Sequence, residues 1–203
     1  TVGLAVDGTP MKITSVAGGF PAAQTFLEVK ALEVAMAVEN GADEVDMVIN
    51  IGAAKEHNWD LVREDMKAVI DAARESSRYV KVKVIIETCL LTEEEKIRMC
   101  DIVSKSDAVF IKTSTGKNGI AATPEAAVAM CLAIRQFAEK TGRKVGFKAA
   151  GGISTAESAA LYYSIVEEIL GEEWLTPERF RIGASSLANN LLSEIEGREI
   201  KYF

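Results

Sequence analysis

Two lysines that each end a short apolar run are the residues of this sequence best suited to covalent chemistry. They are Lys112 and Lys148. Neighbouring parallel strands lie about 4.8 Å apart, so inward lysines that end consecutive strands bring their ammonium groups close together. Each charge then lowers the pKa of the other. A lysine whose pKa falls from about 10.4 to near 7 is about half free amine, which is the nucleophile of Schiff-base catalysis.

A carboxylate on an earlier strand is a candidate partner for these lysines. In residues 45–50 the odd positions are large and apolar and should pack against helices, which aims Asp46, Val48 and Asn50 at the other face of the sheet. An unpaired buried carboxylate is costly, so a cation should lie within its reach. The strand alone leaves a second interpretation equally open, in which Asp46 is hydrogen-bonded to backbone or water.

The combination of these residues matters more than any one of them. A single strand-end lysine more often extends into solvent, and we expect this of Lys81 and Lys83, at the opposite end of their strand. Two lysines together with Asp46 favour a catalytic function.

Three turns rich in glycine and hydroxyl groups follow three adjacent predicted strands, at residues 113–117, 151–152 and 183–186. They offer backbone N–H groups, hydroxyls and one cation beside helix starts, which suits a phosphate group. Glycines after strands often serve only tight turns, so one such turn would be weak evidence. Their coincidence at adjacent strands favours phosphate binding, whereas residues 18–21 are expected to form a plain turn.

Composition excludes several other kinds of site. His57 is the only histidine and lies in a polar stretch, which argues against a Ser-His-Asp triad or a multi-histidine metal site and predicts a solvated loop residue. Cys89, Cys100 and Cys131 include no C-x-x-C pair, so we expect them to pack in the core. The common nucleotide-binding glycine loops are also absent from the sequence. Any chemistry must use lysine, carboxylate, hydroxyl or backbone groups.

The charge balance argues against polyanionic partners. Lys and Arg total 23 against 30 Asp and Glu, a net charge of −7, so no basic surface is available for nucleic acid or an anionic membrane. No apolar run approaches the roughly 18 residues of a membrane span, and the amino end lacks the pattern of a signal peptide. We therefore expect a cytoplasmic protein with no nucleic-acid or membrane partner.

Short β-branched runs alternate with longer amphipathic stretches along the whole chain. The predicted strands cover residues 12–16, 44–50, 82–87, 108–112, 145–148 and 180–183. The predicted helices cover residues 28–40, 59–74, 92–104, 124–140, 155–170 and 186–196. Thr92 with Glu95 forms a capping box, and Thr123 precedes Pro124 at a first helical position. Such βα repeats require a parallel sheet covered by helices, and the absence of a linker predicts a single domain over residues 1–203.

Polar or glycine-rich residues at the end of nearly every predicted strand favour a closed barrel over an open doubly wound sheet. A TIM (β/α)8 barrel needs eight strands, so two βα units are missing from the six predicted here. Phosphate sites of such barrels commonly follow strands seven and eight, and the last two strands carry turns of that type. We therefore expect an N-terminally incomplete TIM barrel with strands three to eight, in which residues 1–8 are the end of the helix or loop after an absent second strand.

Five segments together resemble deoxyribose-phosphate aldolase, a family of class I, Schiff-base aldolases with a TIM-barrel fold. They are residues 45–50, 84–88, 110–117, 145–152 and 181–186, and the motifs F-I-K-T-S-T-G-K and G-F-K-x-A-G-G are highly specific to that family. The resemblance covers nearly all of the chain from about Lys12 onward. It implies reversible cleavage of 2-deoxy-D-ribose 5-phosphate, a small sugar phosphate, into acetaldehyde and D-glyceraldehyde 3-phosphate, with no metal or cofactor.

The resemblance also implies roles for individual residues. Lys112 is the Schiff-base lysine, Lys148 lowers its pKa, and Asp46 is the proton-relay carboxylate. The residues around the phosphate are Gly116, Lys117, Gly151, Gly152, Ser185 and Ser186. A homodimer is compatible with the resemblance, but the sequence does not give the oligomeric state.

The sequence departs from the family pattern in two ways. Many members have proline where Ala149 stands. Members also carry a first strand with an aspartate and a second strand with a cysteine-containing motif, and neither is in these 203 residues. The alternative prediction is therefore a catalytically inactive protein that binds a sugar phosphate or serves in assembly.

Overall fold

A computed structural model describes residues 2–119 and 121–202. It contains a six-stranded sheet in which neighbouring strands are parallel and follow one another in chain order. The strands are β1 (Thr14–Val16), β2 (Glu44–Val48), β3 (Lys81–Ile85), β4 (Phe110–Lys112), β5 (Gly146–Ala150) and β6 (Phe180–Gly183). The predicted parallel α/β architecture is confirmed.

Helices connect and cover these strands. They are α1 (Val2–Val6), α2 (Leu27–Glu39), α3 (Ile51–Lys55), α4 (Trp59–Ser76), α5 (Glu93–Lys105), α6 (Pro124–Thr141), α7 (Ala156–Leu170) and α8 (Leu187–Glu196). Short 3-10 helices occupy Thr88–Leu90 and Glu172–Trp174. Every predicted helix is present with bounds shifted by at most two residues. Of the two possibilities for residues 1–8, a helix or a loop, the structure shows the helix α1, whereas α3 and the 3-10 helices were not predicted.

Local capping explains where several helices begin. The hydroxyl of Thr92 accepts a hydrogen bond from the Glu95 N–H, and the Glu95 carboxylate accepts one from the Thr92 N–H, which completes the predicted capping box of α5. At the start of α6, the Thr123 hydroxyl accepts a hydrogen bond from the Ala126 N–H, and Pro124 occupies the first helical position. These caps fix the helices that follow the strands bearing the candidate site.

The sheet is strongly curved, as contacts between inward side chains of distant strands show. Strands β2 and β5 would lie about 14 Å apart in a flat sheet. Lys148 Nζ on β5 nevertheless lies 2.7 Å from Asp46 Oδ2 on β2. Arg181 on β6 spans one strand more and reaches Glu44 on β2 at 3.1 Å. The six strands therefore form half of a barrel wall with a concave inner face.

The two faces of the sheet have different contents. Val45, Met47 and Ile49 belong to the main apolar core between sheet and helices, as the alternation predicts, while Val48 packs in a small inner cluster with Ile85. The inner face is otherwise largely polar. The apolar core thus lies outside the half-barrel, and the inside is left for charged side chains.

Cysteine and histidine positions agree only in part with the sequence predictions. Cys100 and Cys131 are buried in the core. The prediction was wrong for Cys89, which is exposed because it lies in the 3-10 helix after β3 rather than in the strand. The His57 side chain is 63% exposed, and its Nε2 lies 3.0 Å from Glu95 Oε1.

Candidate active site

A cluster of buried charges lies on the inner face of the half-barrel. The Asp46 carboxylate is its centre, and one oxygen, Oδ2, accepts hydrogen bonds from Lys112 Nζ at 2.8 Å and Lys148 Nζ at 2.7 Å. The Asp46 side chain is 1% exposed, and those of Lys112 and Lys148 are 9% and 13% exposed. The structure thus brings the three predicted catalytic residues into contact, and of the two interpretations of Asp46 it shows the one with paired cations.

Strand register and curvature together produce this contact. Lys112 and Lys148 are direct partners in the pairing of β4 with β5, so their side chains lie side by side at the same height. Asp46 reaches them from β2 only because the sheet curves. The sequence motifs fix which residues point inward, and the curvature fixes which of them meet.

The prediction for Lys83 was wrong. Its side chain is 0% exposed, and Nζ lies 2.8 Å from Asp46 Oδ1 and 2.7 Å from Glu44 Oε2. Val82 and Val84 pack outward in the core, so the residue between them must point inward. The alternation argument that placed Asp46 would have found Lys83 had it been applied to β3, whereas Lys81 at the strand start is partly exposed, closer to expectation.

Burial and neighbouring charges act against each other in this cluster. Burial alone would raise the pKa of the Asp46 carboxyl, but Lys148, Lys83 and Lys112 outweigh it and hold the pKa well below its usual range. Burial lowers the pKa of Lys148, and this outweighs the attraction of Asp46, while Lys112 and Lys83 lower it further. For Glu44, Lys83 more than offsets the effect of burial, so its pKa is also lowered. Asp46 therefore carries a negative charge at neutral pH, and Lys148 loses its proton more easily than an exposed lysine.

A cavity of about 480 Å³ opens beside the cluster at the carboxyl ends of β4, β5 and β6. Its lining includes Lys112 and all the residues predicted to surround a phosphate, namely Gly116, Lys117, Gly151, Gly152, Ser185 and Ser186. Lys148 is not among the lining residues. Of these two lysines, Lys112 is thus the one presented to a molecule in this cavity.

Backbone conformation at the turns requires glycine. Gly151 has a φ of +94°, and a Cβ there would lie 2.1 Å from Ala121 Cβ.

The turn after β6 leads into α8, whose N-cap is Ser186, and the Ser186 side chain makes no capping hydrogen bond. Its hydroxyl and the first N–H groups of α8 are therefore available to an anion, and the positive end of the helix dipole favours one.

Glu87 is a site residue to which sequence reasoning gave no role. It follows β3, is 0% exposed and has a φ of +53°. Its carboxylate accepts hydrogen bonds from Thr115 N at 3.2 Å, Thr115 Oγ1 at 2.5 Å and Asn118 Nδ2 at 3.1 Å. Glu87 therefore holds the loop after β4 that contributes Gly116 and Lys117 to the cavity. The signal in the sequence that could have identified Glu87 is its position as a carboxylate directly after an apolar strand.

Within residues 2–119 and 121–202, no group of three or more His, Cys, Asp or Glu side chains is arranged to hold a metal ion. None of the helices in this part of the chain is both long and apolar enough to cross a membrane.

The chain is similar to known proteins along most of its length. Residues 3–188 match the model of the DeoC/LacD family aldolases. The chain is 42% identical to human deoxyribose-phosphate aldolase over 195 residues, which are 95% of this chain and 59% of that protein. It is 46% identical to the deoxyribose-phosphate aldolase of Clostridium perfringens strain 13 over 154 residues, 76% of this chain and 64% of that protein.

A solved structure shows the same relation. The tetrameric deoxyribose phosphate aldolase of Aeropyrum pernix superposes with a TM-score of 0.73 at 26% identity, over 96% of this chain and 72% of that one. The chain spans about three-fifths of the length of the human relative. With a family model that matches most of its length, the chain belongs to the DeoC/LacD family of aldolases.

Proposed function

We propose that this protein is a class I aldolase that reversibly cleaves 2-deoxy-D-ribose 5-phosphate into acetaldehyde and D-glyceraldehyde 3-phosphate. The observation that carries the proposal is the shared contact of Lys112 and Lys148 with one oxygen of Asp46, beside a cavity lined by glycine and serine turns. Relatives named deoxyribose-phosphate aldolase support it.

Lys112 is the nucleophile in this proposal, because it is the strand-end lysine that lines the cavity. Its free amine attacks the C1 aldehyde of the open-chain sugar, and loss of water gives an iminium. When the proton of the C3 hydroxyl is removed, the C2–C3 bond breaks and its electron pair moves toward the iminium. Glyceraldehyde 3-phosphate leaves, C2 of the remaining enamine takes up a proton, and water then releases acetaldehyde and restores the amine.

Asp46 moves the protons of these steps through a water molecule and Lys148. Two features support this assignment: the 2.7 Å contact between the two side chains, and the lowered pKa of Lys148, which makes proton exchange at that amine easier. Between these proton transfers Asp46 is ionised at neutral pH, so it offsets the positive charge that develops on the iminium.

The phosphate of the substrate binds at the far turns of the cavity in this proposal. Backbone N–H groups of the 151–152 turn and the start of α8, the Ser185 and Ser186 hydroxyls, and the Lys117 ammonium supply the donors. These groups hold a part of the substrate remote from the bond that breaks, so they contribute to binding and orientation.

We further propose that the six strands are strands three to eight of a TIM barrel. The curvature of the sheet and the position of the anion-binding turns after β5 and β6 support this numbering. Along β1 and α2, the side chains of Val16, Leu32 and Met36 are roughly half exposed, as expected of a surface that a further βα unit would cover.

Borohydride trapping tests the central step. The protein is incubated with acetaldehyde and sodium borohydride, which reduces the iminium to a stable ethylated lysine, and the modified peptide is identified by mass spectrometry. We expect the adduct on Lys112 and none in the Lys112→Met variant, whereas the matched variant Lys117→Met should still be modified. An adduct on Lys148 or Lys117 with Lys112 unmodified would overturn the assignment. Sugar-phosphate binding without any adduct would favour the inactive binding protein.

A further inference from the structure

Lys83 is the one lysine in contact with Asp46 to which the proposed reaction gives no step. It extends from β3 into the half-barrel and is fully buried. Its Nζ contacts Asp46 Oδ1 at 2.8 Å and Glu44 Oε2 at 2.7 Å, and it lies 3.4 Å from Thr14 Oγ1. It therefore lies on the side of Asp46 away from Lys112 and Lys148, whose contacts are with Oδ2.

Because Lys83 occupies Oδ1, it limits which atom of Asp46 the other two lysines can contact. Since Lys83 takes that oxygen, Lys112 and Lys148 are left to share Oδ2. The second carboxylate of the cluster, Glu44, is already paired with Lys83 and Arg181. Among the described residues, the lysine pair thus has one carboxylate oxygen as its counter-charge in a buried site, and the pKa of Lys148 is lowered there.

We propose that Lys83 is a positioning residue for the aldolase reaction: by occupying Oδ1 of Asp46 it fixes this carboxylate and makes Lys112 and Lys148 share the remaining oxygen, which keeps an amine available for Schiff-base formation. This inference rests on the proposed function. It assigns Lys83 no contact with substrate.

The charged groups that face Asp46 give the sign of the expected effect. They are Lys83 from β3, Lys112 from β4 and Lys148 from β5, and behind Lys83 the Glu44 carboxylate pairs with both Lys83 and Arg181. The positive charge of Lys83 lowers the pKa values of both Asp46 and Lys148. Removing that charge raises both, so the pH profile of the reaction as a whole should move to higher pH.

The test compares two neutral variants with a matched control. Lys83→Gln keeps a donor for Asp46 Oδ1, and Lys83→Met removes it. We expect loss of the charge to shift the pH profile of kcat upward by about one unit or more in both and to lower kcat at pH 7 at least about tenfold, with KM changed far less. The effect should be larger in Lys83→Met, which also leaves Oδ1 free for Lys112 or Lys148. Lys83→Arg keeps the charge and should restore the profile toward that of the unmodified protein.

Lys30→Met is the control, because Lys30 is also a buried lysine, 1% exposed and paired with Asp65 at 2.5 Å, but between α2 and α4 outside the site. It should lower thermal stability without moving the pH profile. An unshifted profile in folded Lys83→Gln and Lys83→Met would overturn the inference. So would failure of both neutral variants to fold while Lys30→Met folds, since Lys83 would then serve the fold.

A readout independent of activity separates this inference from the proposed function. The Asp46 carboxyl is followed by carbon NMR during acid titration, with Asp46→Asn used to assign its signal. We expect it to titrate at higher pH in Lys83→Gln than in the unmodified protein, and equal titration would contradict the role of Lys83. Absence of aldolase activity in the unmodified protein would defeat the proposed function and leave this titration as the test of Lys83.

Discussion

Asp46 contacts three lysines, one each from β3, β4 and β5, and all four side chains are largely buried. Buried ion pairs contribute little net stability, because the cost of removing charges from water offsets their attraction. Apolar residues would stabilise this interior at least as well. A cluster that perturbs the pKa values of its own members is instead typical of a functional site.

The lowered pKa of Asp46 predicts how stability depends on pH. Its carboxyl has a lower pKa in the folded protein than in the unfolded chain, so its contribution is present at neutral pH and is lost as the pH falls below about 5. We expect the free energy of unfolding, measured in urea, to fall more steeply on acidification in the unmodified protein than in Asp46→Asn. Equal slopes would mean that the pKa of Asp46 is the same in the folded protein and in the unfolded chain.

Glu87 offers a second prediction at this scale. Glu87→Gln keeps one acceptor oxygen and turns an amide donor toward donors of Thr115 and Asn118, so the loop with Gly116 and Lys117 should lose its position. We expect KM for deoxyribose 5-phosphate to rise about tenfold, with the borohydride adduct of acetaldehyde still formed. Steady-state kinetics measure this, with Glu94→Gln on the exposed face of α5 as the control. An unchanged KM would show that the loop is held by other contacts.

At the scale of elements, the start of α8 separates phosphate binding from chemistry. Ser186→Asp places a carboxylate where we propose the phosphate, and like charges about 4 Å apart repel by about 4 kcal/mol at an intermediate dielectric. Cleavage of deoxyribose 5-phosphate should collapse, whereas cleavage of unphosphorylated deoxyribose should change little because Lys112 and Asp46 are untouched. The measurement is kcat/KM for both sugars.

The helix itself should not suffer in this variant. Asp is as good an N-cap residue as Ser, and the Ser186 side chain makes no capping hydrogen bond that could be lost. We therefore expect Tm to stay equal or to rise. Equal losses of activity on both sugars would contradict phosphate binding at this turn and assign the serines to the support of Lys112 or of the fold.

At the scale of the whole molecule, the curved sheet leaves no room for a side chain at Gly146. A Cβ on Gly146 would lie 2.6 Å from two ring atoms of Phe110 and 2.9 Å from the Arg179 carbonyl oxygen. Gly146→Ala should therefore force the ring or the neighbouring strand to move and destabilise the protein by about 1–3 kcal/mol. Urea unfolding measures this, and Gly119→Ala, which has nothing within 4 Å of the new methyl group, is the control. Equal stability of the two variants would contradict a close fit at Gly146.

The sequence by itself determined the features that depend on neighbours along the chain. The capping box of α5, the Pro124 start of α6 and the outward packing of Val45 and Met47 follow from spacings of two to four residues, and the structure shows each of them. The family motifs likewise lie in continuous segments. The apolar runs before Lys112 and Lys148 placed both lysines at strand ends, which the structure shows for Lys112, whereas β5 continues for two residues beyond Lys148.

Only the tertiary structure decided which inward residues meet. Lys83 and Asp46 are 37 residues apart in the chain, and Arg181 and Glu44 are 137 apart. Their pairing requires the register of the strands and the curvature of the whole sheet, and no local spacing encodes either. Alternation along β3 is enough to point Lys83 inward, but its burial depends on the curved inner face, which supplies two carboxylates that pair with its charge.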